Sequence, residues 1–190
     1  MLLGSRLTVA LVTLPLLMAG TAFAGTDISV APFKSIQLRG GGHVVLHHGP
    51  QQHVTLVNGS TQITHFEIVD GDTLRIDACN GHCPHHYDLE VDIVSSKIDG
   101  VAIDGGGKIE SRGDFPKQGK IGAVVSGGGD IDIRTMSADE VDAAVNGGGQ
   151  ITTRVAHRLN AAVNGGGNIS YEGDPVVTSA VNGGGSITKN

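Results

Sequence analysis

Tryptophan is absent from this 190-residue chain, and four phenylalanines and two tyrosines are its only aromatic rings. So few aromatics leave little material for the flat platforms on which sugars stack, and the interior has to be built from Val, Ile, Leu and Ala. Helical periodicity is nearly missing as well: apolar residues alternate with polar ones over short runs instead of recurring every three or four positions. Basic residues are outnumbered, 13 Lys and Arg against 19 Asp and Glu. An acidic chain makes a poor partner for nucleic acid or an anionic membrane surface, which sets both aside. Cysteine is limited to Cys79 and Cys83.

The first 24 residues have their own character. Arg6 is followed by an apolar run from Leu7 to Ala19 and by the small-residue sequence Ala22-Phe23-Ala24. This is the pattern of a secretory signal peptide cut after Ala24, since the apolar run is shorter than the roughly 20 residues a membrane span needs. The mature chain, 25–190, is then expected to be a soluble periplasmic or extracellular protein with no membrane span. Arg6 is the only charged residue removed, so it carries 12 basic and 19 acidic side chains, a net charge of −7 with His neutral. Its length suits one domain.

Glycine is abundant, 30 residues, and much of it falls in triplets that begin at Gly40, Gly105, Gly127, Gly147, Gly165 and Gly183. From Gly105 onward the steps are 22, 20, 18 and 18 residues. A period near 20 marks a repeat architecture. Each triplet is also centred between two apolar residues six positions apart, as in Val145 and Ile151, Val163 and Ile169, or Val181 and Ile187. In an extended chain an even spacing places both on one face. Alternation through Ile36–Leu38, Val54–Leu56, Leu74–Ile76 and Leu89–Ile93 continues the strand pattern upstream, with Asn58-Gly59 and Asp70-Gly71 as turns. Ser137–Val145 has a helix-capping pattern, but it stands where the other repeats show a strand, and the repeat predicts a strand there.

These features predict an all-β fold, a parallel β-helix or β-solenoid with coils of about 18–22 residues, its hydrogen bonds running between stacked coils. Residues 25–100 would form irregular first coils and 101–190 the regular Gly-rich ones. Two structural roles are open for the stacked glycines Gly105, Gly107, Gly127, Gly129, Gly147, Gly149, Gly165, Gly167, Gly183 and Gly185. They are either inward positions where a missing Cβ lets another wall approach, or corners that need positive φ. Asn146, Asn164 and Asn182 would stack into an amide ladder. Ligand-binding readings of the triplets fail: there is no Gly-Lys-Ser/Thr ending of a phosphate loop, and the calcium nonapeptide pattern lacks its fourth-position Gly and sixth-position Asp.

The opening Phe33-Lys-Ser-Ile-Gln-Leu-Arg-Gly-Gly-Gly-His-Val-Val-Leu46, the central Asp70-Gly-Asp-Thr-Leu-Arg-Ile76 and the later Gly-x-Gly-x-Ile repeats together resemble the GIN-domain family of auto-transporter adhesin head domains. The resemblance runs from about Ile28 to Ile187. It implies a right-handed parallel β-helix-like fold in secreted or surface-facing bacterial proteins, with adhesion to a surface glycan or protein as the expected activity. It brings no catalytic residues, and no cofactor is expected.

Ala78–Tyr87 is the one stretch rich in chemistry. Cys79, His82, Cys83, His85 and His86 place five potential metal ligands within eight residues, an acceptable set for zinc. An exported chain meets oxidising conditions, and two Cys four apart can close across the Asn80-Gly81 turn, so a Cys79–Cys83 disulfide is favoured over the metal set. His43, His47, His48, His53, His65 and His157 form no recognised ligand spacing; His43, Val45 and His47 share one strand parity and read as a solvated face. Catalytic motifs are absent, with no Gly-x-Ser-x-Gly elbow. Three functions follow: a non-enzymatic exported binding or adhesion module; a polysaccharide-acting enzyme of the kind β-helices host, with Asp130, Asp132 and Arg134 as candidates; and a periplasmic metal-binding module using the Cys-His loop.

Overall fold

Wherever apolar and polar residues alternate, the computed structural model, which describes residues 25–190, forms β-strand. The expected signal peptide lies outside the described residues. Sixteen strands follow in order: β1 (Thr26–Asp27), β2 (Ser35–Gly40), β3 (His43–His48), β4 (His53–Asn58), β5 (His65–Val69), β6 (Thr73–Asp77), β7 (Glu90–Ser95), β8 (Gly100–Gly105), β9 (Lys108–Arg112), β10 (Gln118–Gly127), β11 (Asp130–Asp132), β12 (Ala138–Gly147), β13 (Gln150–Gly165), β14 (Asn168–Glu172), β15 (Val176–Asn182) and β16 (Ser186–Lys189). The fold is all-β, without a helix among the described residues. Ser137–Val145 is mostly strand, within β12, as the repeat requires.

Strand order separates two faces. One runs β5-β6-β2-β8-β10-β12 and on through the second half of β13 to β15; the other runs β1-β4-β7-β3-β9-β11 and on through the first half of β13 to β14 and β16. We call them the B face and the A face. Pairing along β8, β10, β12, β13 and β15 is parallel, with Ile103, Val125, Val145, Val163 and Val181 in one column. On the A face Val44, Ile109, Ile131, Ile151, Ile169 and Ile187 form the matching column. All of these except Val181 and Ile187 are at most 1% exposed. The apolar pairs six apart therefore point into one interior, between the two faces.

The sheet as a whole is mixed, which departs from the wholly parallel arrangement expected. β1–β4, β4–β7 and β5–β6 are antiparallel. The reason for the last is local: Asp70 has φ 53° and Gly71 φ 86°, the positive-φ pair that lets a tight turn match strand twist and reverse the chain. Short connections favour an antiparallel neighbour, while a parallel one needs a long crossover. The period read between Gly105 and Gly183 has no counterpart between Gly49 and Leu89, and β4 and β5, whose pairings are all antiparallel, lie there.

Candidate binding face

Each Gly triplet lies where the chain leaves the B face and enters the A face, as at Gly147 (end of β12) to Gln150 (start of β13). Its three members do different things. Gly165 has φ +123°, and a Cβ there would lie 2.5 Å from the Gly147 carbonyl oxygen. Gly166 faces open space. Gly167 has ordinary φ, but its Cβ would meet the Gly149 oxygen at 2.4 Å and Val145 Cγ1 at 2.5 Å. The first glycine is thus the corner and the third the close approach, so the two structural roles coexist within one triplet. Gly127, Gly147 and Gly183 repeat the first geometry, and Gly129, Gly149 and Gly185 the third. At Gly105 and Gly107 both φ values are positive.

Because register is kept from repeat to repeat, the outward side chains of the B face also stack. Gly122, Asp142, Asn160 and Thr178 form one column; Val124, Ala144, Ala162 and Ala180 the next; Ser126, Asn146, Asn164 and Asn182 the third. Asn160 Nδ2 donates to Asp142 Oδ1 at 2.7 Å, and Asn164 Nδ2 donates to Asn146 Oδ1 at 3.1 Å. The small central column leaves a shallow, mainly apolar trough of about 340 Å³, lined by that column and by Asp142, Asn160 and Thr178 on one side. Val124 is an exposed large apolar side chain in its floor.

The A face is a lattice of opposite charges. Arg134 donates to both carboxylate oxygens of Asp132 at 2.9 and 2.6 Å, and Arg154 donates to Glu172 of the following repeat at 2.9 and 2.6 Å. Glu110 takes Arg112 at 2.5 Å and also pairs with Lys108. Burial pushes the Glu110 carboxyl up, but hydrogen bonds from Lys108 and Arg112 outweigh it and hold the group below its ordinary range. Asp132 behaves likewise: burial raises it, and the Arg134 side chain and backbone N–H bring it down. Asp142, on the B face, is lowered by hydrogen bonds from Lys120 and then Asn160. Of the candidate trio, Asp130 lies between Lys108 and Gln150 in the sheet, while Asp132 and Arg134 bind each other. A glycosidase acid needs a carboxyl held up, and Asp132 is held down.

The Cys79 and Cys83 sulfurs lie 2.00 Å apart, with their Cα atoms 5.7 Å apart. His82, His85 and His86 are exposed beside them. Among the described residues no three His, Cys, Asp or Glu side chains gather as a metal site. His43 and His47 do not simply face solvent: they reach across to Glu110 (3.4 Å) and Asp92 (3.9 Å), and Val45 between them is only 1% exposed.

Residues 117–175, the repeats that carry the trough, match the family described as "Putative auto-transporter adhesin, head GIN domain". This is the GIN-domain family that the sequence resembles. The match is narrower than the resemblance, which ran through the first strands as well. A "putative adhesin" from Bacteroides fragilis NCTC 9343 has a solved structure with TM-score 0.55 and 16% identity, covering 90% of this chain and 98% of its own. Its likeness concerns the fold. A "putative adhesin" from Parabacteroides distasonis ATCC 8503 gives TM-score 0.40 at 19% identity, with 88% and 96% covered. No curated protein matches the chain. Among the described residues, no helix is long and apolar enough to cross a membrane.

Proposed function

We propose that this chain is an exported, non-enzymatic β-solenoid, directed outward by a signal peptide at 1–24, whose single domain 25–190 binds a glycan or protein at a cell surface through the B face. Right-handed winding of its coils agrees with the general rule for parallel crossovers. The observation that carries the reading is the register of the outward columns. A nearly flat trough floored by Val124, Ala144, Ala162 and Ala180 is edged along one side by the polar groups of Asp142, Asn160 and Thr178, one from each successive coil. Such a surface suits an extended, repetitive partner better than a small molecule, which favours enclosed pockets. The GIN-domain match to the same residues supports adhesion. The pairing of the A-face carboxylates Glu110, Asp132 and Glu172 with Arg or Lys supports the absence of catalysis, and a closed Cys79–Cys83 bond leaves the Cys-His loop without its thiolates.

A glycan-array and cell-surface binding screen with residues 25–190 tests this, paired with Ala162→Arg, which fills the trough from an outward position. Binding that the wild-type chain shows and the variant loses, at equal thermal stability, supports the reading. Product release from a polysaccharide in the same screen reverses it in favour of an enzyme.

A further inference from the structure

Five asparagines stand directly before a glycine: Asn58, Asn80, Asn146, Asn164 and Asn182. In such a pair the glycine nitrogen, shielded by no Cβ, can attack the asparagine side-chain amide carbon, provided the backbone is free to bring the two atoms together. The structure holds four of the five. Asn146, Asn164 and Asn182 lie in parallel strands in register with one another, and a Cβ on Gly147, Gly165 or Gly183 would lie 2.4 or 2.5 Å from a carbonyl oxygen of the preceding coil. Asn58 ends β4 opposite Glu90, and a Cβ on Gly59 would lie 2.9 Å from the Tyr87 hydroxyl, which itself accepts the Ser60 N–H at 2.7 Å. Asn80 differs: it is exposed and outside every strand, in the turn between Cys79 and Cys83. Its own N–H donates to the Ile63 oxygen at 2.9 Å, but no backbone hydrogen bond holds the Gly81 N–H. A Cβ on Gly81, which has φ 109°, would meet nothing within 4 Å.

We infer that Asn80 is a site of self-modification, where the folded protein converts its own amide to a carboxylate. The Gly81 nitrogen loses its proton and bonds to Asn80 Cγ; the Cγ–Nδ2 bond breaks, and ammonia leaves with that proton. One water molecule then opens the resulting five-membered imide at either carbonyl, giving an aspartyl or an isoaspartyl linkage to Gly81. No oxidant, enzyme or metal takes part. The consequence is electrostatic, because Asn80 lines a polar recess of about 610 Å³ on the B face together with Arg39, Arg75, Asp77 and Asp104. Arg39 stands there between two carboxylates, 3.4 Å from Asp77 and 3.6 Å from Asp104. Two guanidinium groups and two carboxylates balance in that recess, and the new carboxylate turns it net negative. Conversion at Asn146 or Asn164 would instead put charge into the stacked amide pair that joins them at 3.1 Å. The strand pairing that builds the ladder also protects it, whereas the turn at Asn80 is left open.

The test incubates the purified chain at mildly alkaline pH, folded in buffer and, in parallel, unfolded in concentrated urea. Digestion at acid pH, where the reaction is slow, then lets mass spectrometry quantify each Asn-Gly peptide by the mass gained when OH replaces NH2. Unfolding exposes all five pairs alike, so the ratio of folded to unfolded rate isolates what the structure contributes. That ratio should be within about threefold of unity for Asn80 and at least about tenfold lower for each of the other four. Gly81→Ala, which sets a Cβ beside the attacking nitrogen, should slow conversion of Asn80 and leave the other four rates unchanged. Slowing of Asn80 on folding to the same extent as Asn146 overturns the proposal. So does faster conversion at Asn58 than at Asn80 in the folded chain, or an Asn80 rate that Gly81→Ala does not change.

Discussion

Adding one methyl group at successive positions of a single Gly triplet should produce opposite effects. Gly165→Ala forces an L side chain to φ +123°, a backbone strain of about 1–3 kcal/mol, and sets Cβ 2.5 Å from the Gly147 oxygen. Relieving that overlap means separating two strands at the corner, where Gly166 N–H and Gly167 N–H donate to the same Gly147 oxygen at 3.0 and 2.9 Å. Weakening both bonds adds about 1 kcal/mol each, for a total of roughly 3–5 kcal/mol. Gly167→Ala avoids the φ term but meets Gly149 oxygen and Val145 Cγ1 together, with a similar penalty of overlap. Gly166→Ala meets nothing within 4 Å and has no positive φ, so its loss of unfolded-state entropy should stabilise by about 0.4–1 kcal/mol. At about 2–4 °C per kcal/mol for a domain of this size, Gly165→Ala should melt roughly 6–20 °C below wild type and Gly166→Ala slightly above it. Thermal denaturation followed by circular dichroism reads all three. Equal melting temperatures for Gly165→Ala and Gly166→Ala would refute the assignment of corner and open positions.

Thr153 is fully buried on the A face and its Oγ1 has no hydrogen-bond partner, so Thr153→Val, which keeps the shape and removes the stranded hydroxyl, should raise stability by about 1 kcal/mol in urea denaturation. Glu110 and Asp132 have folded-state pKa values below their ordinary ones, so their contribution is complete above the unfolded-state range near pH 4 and is lost as pH falls through the lower folded values. The melting temperature should therefore begin to drop below about pH 4, and Glu110→Gln should flatten that drop. If Cys79 and Cys83 are joined in the purified protein, its intact mass is two protons below the reduced mass and zinc does not bind. Reduction should cost no more than about 2 kcal/mol, because the loop it closes is short. A full-mass chain that takes up zinc would favour the metal-binding reading.

How far the sequence could be read follows from how periodic it is. Val145, Val163 and Val181, and Ile151, Ile169 and Ile187, share a frame that only strands of fixed parity satisfy, and they stack in the structure as that frame demands. The same parity placed Val45 outward, yet it is buried, registered between Asp92 and Glu110, the acids that His47 and His43 reach; contacts between strands distant in sequence leave no mark in a one-strand pattern. The antiparallel strands between Gly49 and Leu89 were not foreseen for a related reason. Asp70-Gly71 announces a turn, but which strand the returning chain will join is a long-range choice.

The trough was also out of reach. Ala144, Ala162 and Ala180 are unremarkable residues, and the sequence offers no signal that a column of small outward side chains edged by Asp142 and Asn160 forms a surface. By itself the sequence determined the strand parity and the inward columns, because those depend on spacing along one chain, and it left open whether each glycine triplet is a corner or an inward segment. The tertiary structure decided which glycine of each triplet turns and which is pressed against its neighbour. It also decided that β4 and β5 run antiparallel to their neighbours, because that depends on what lies across the gap between strands.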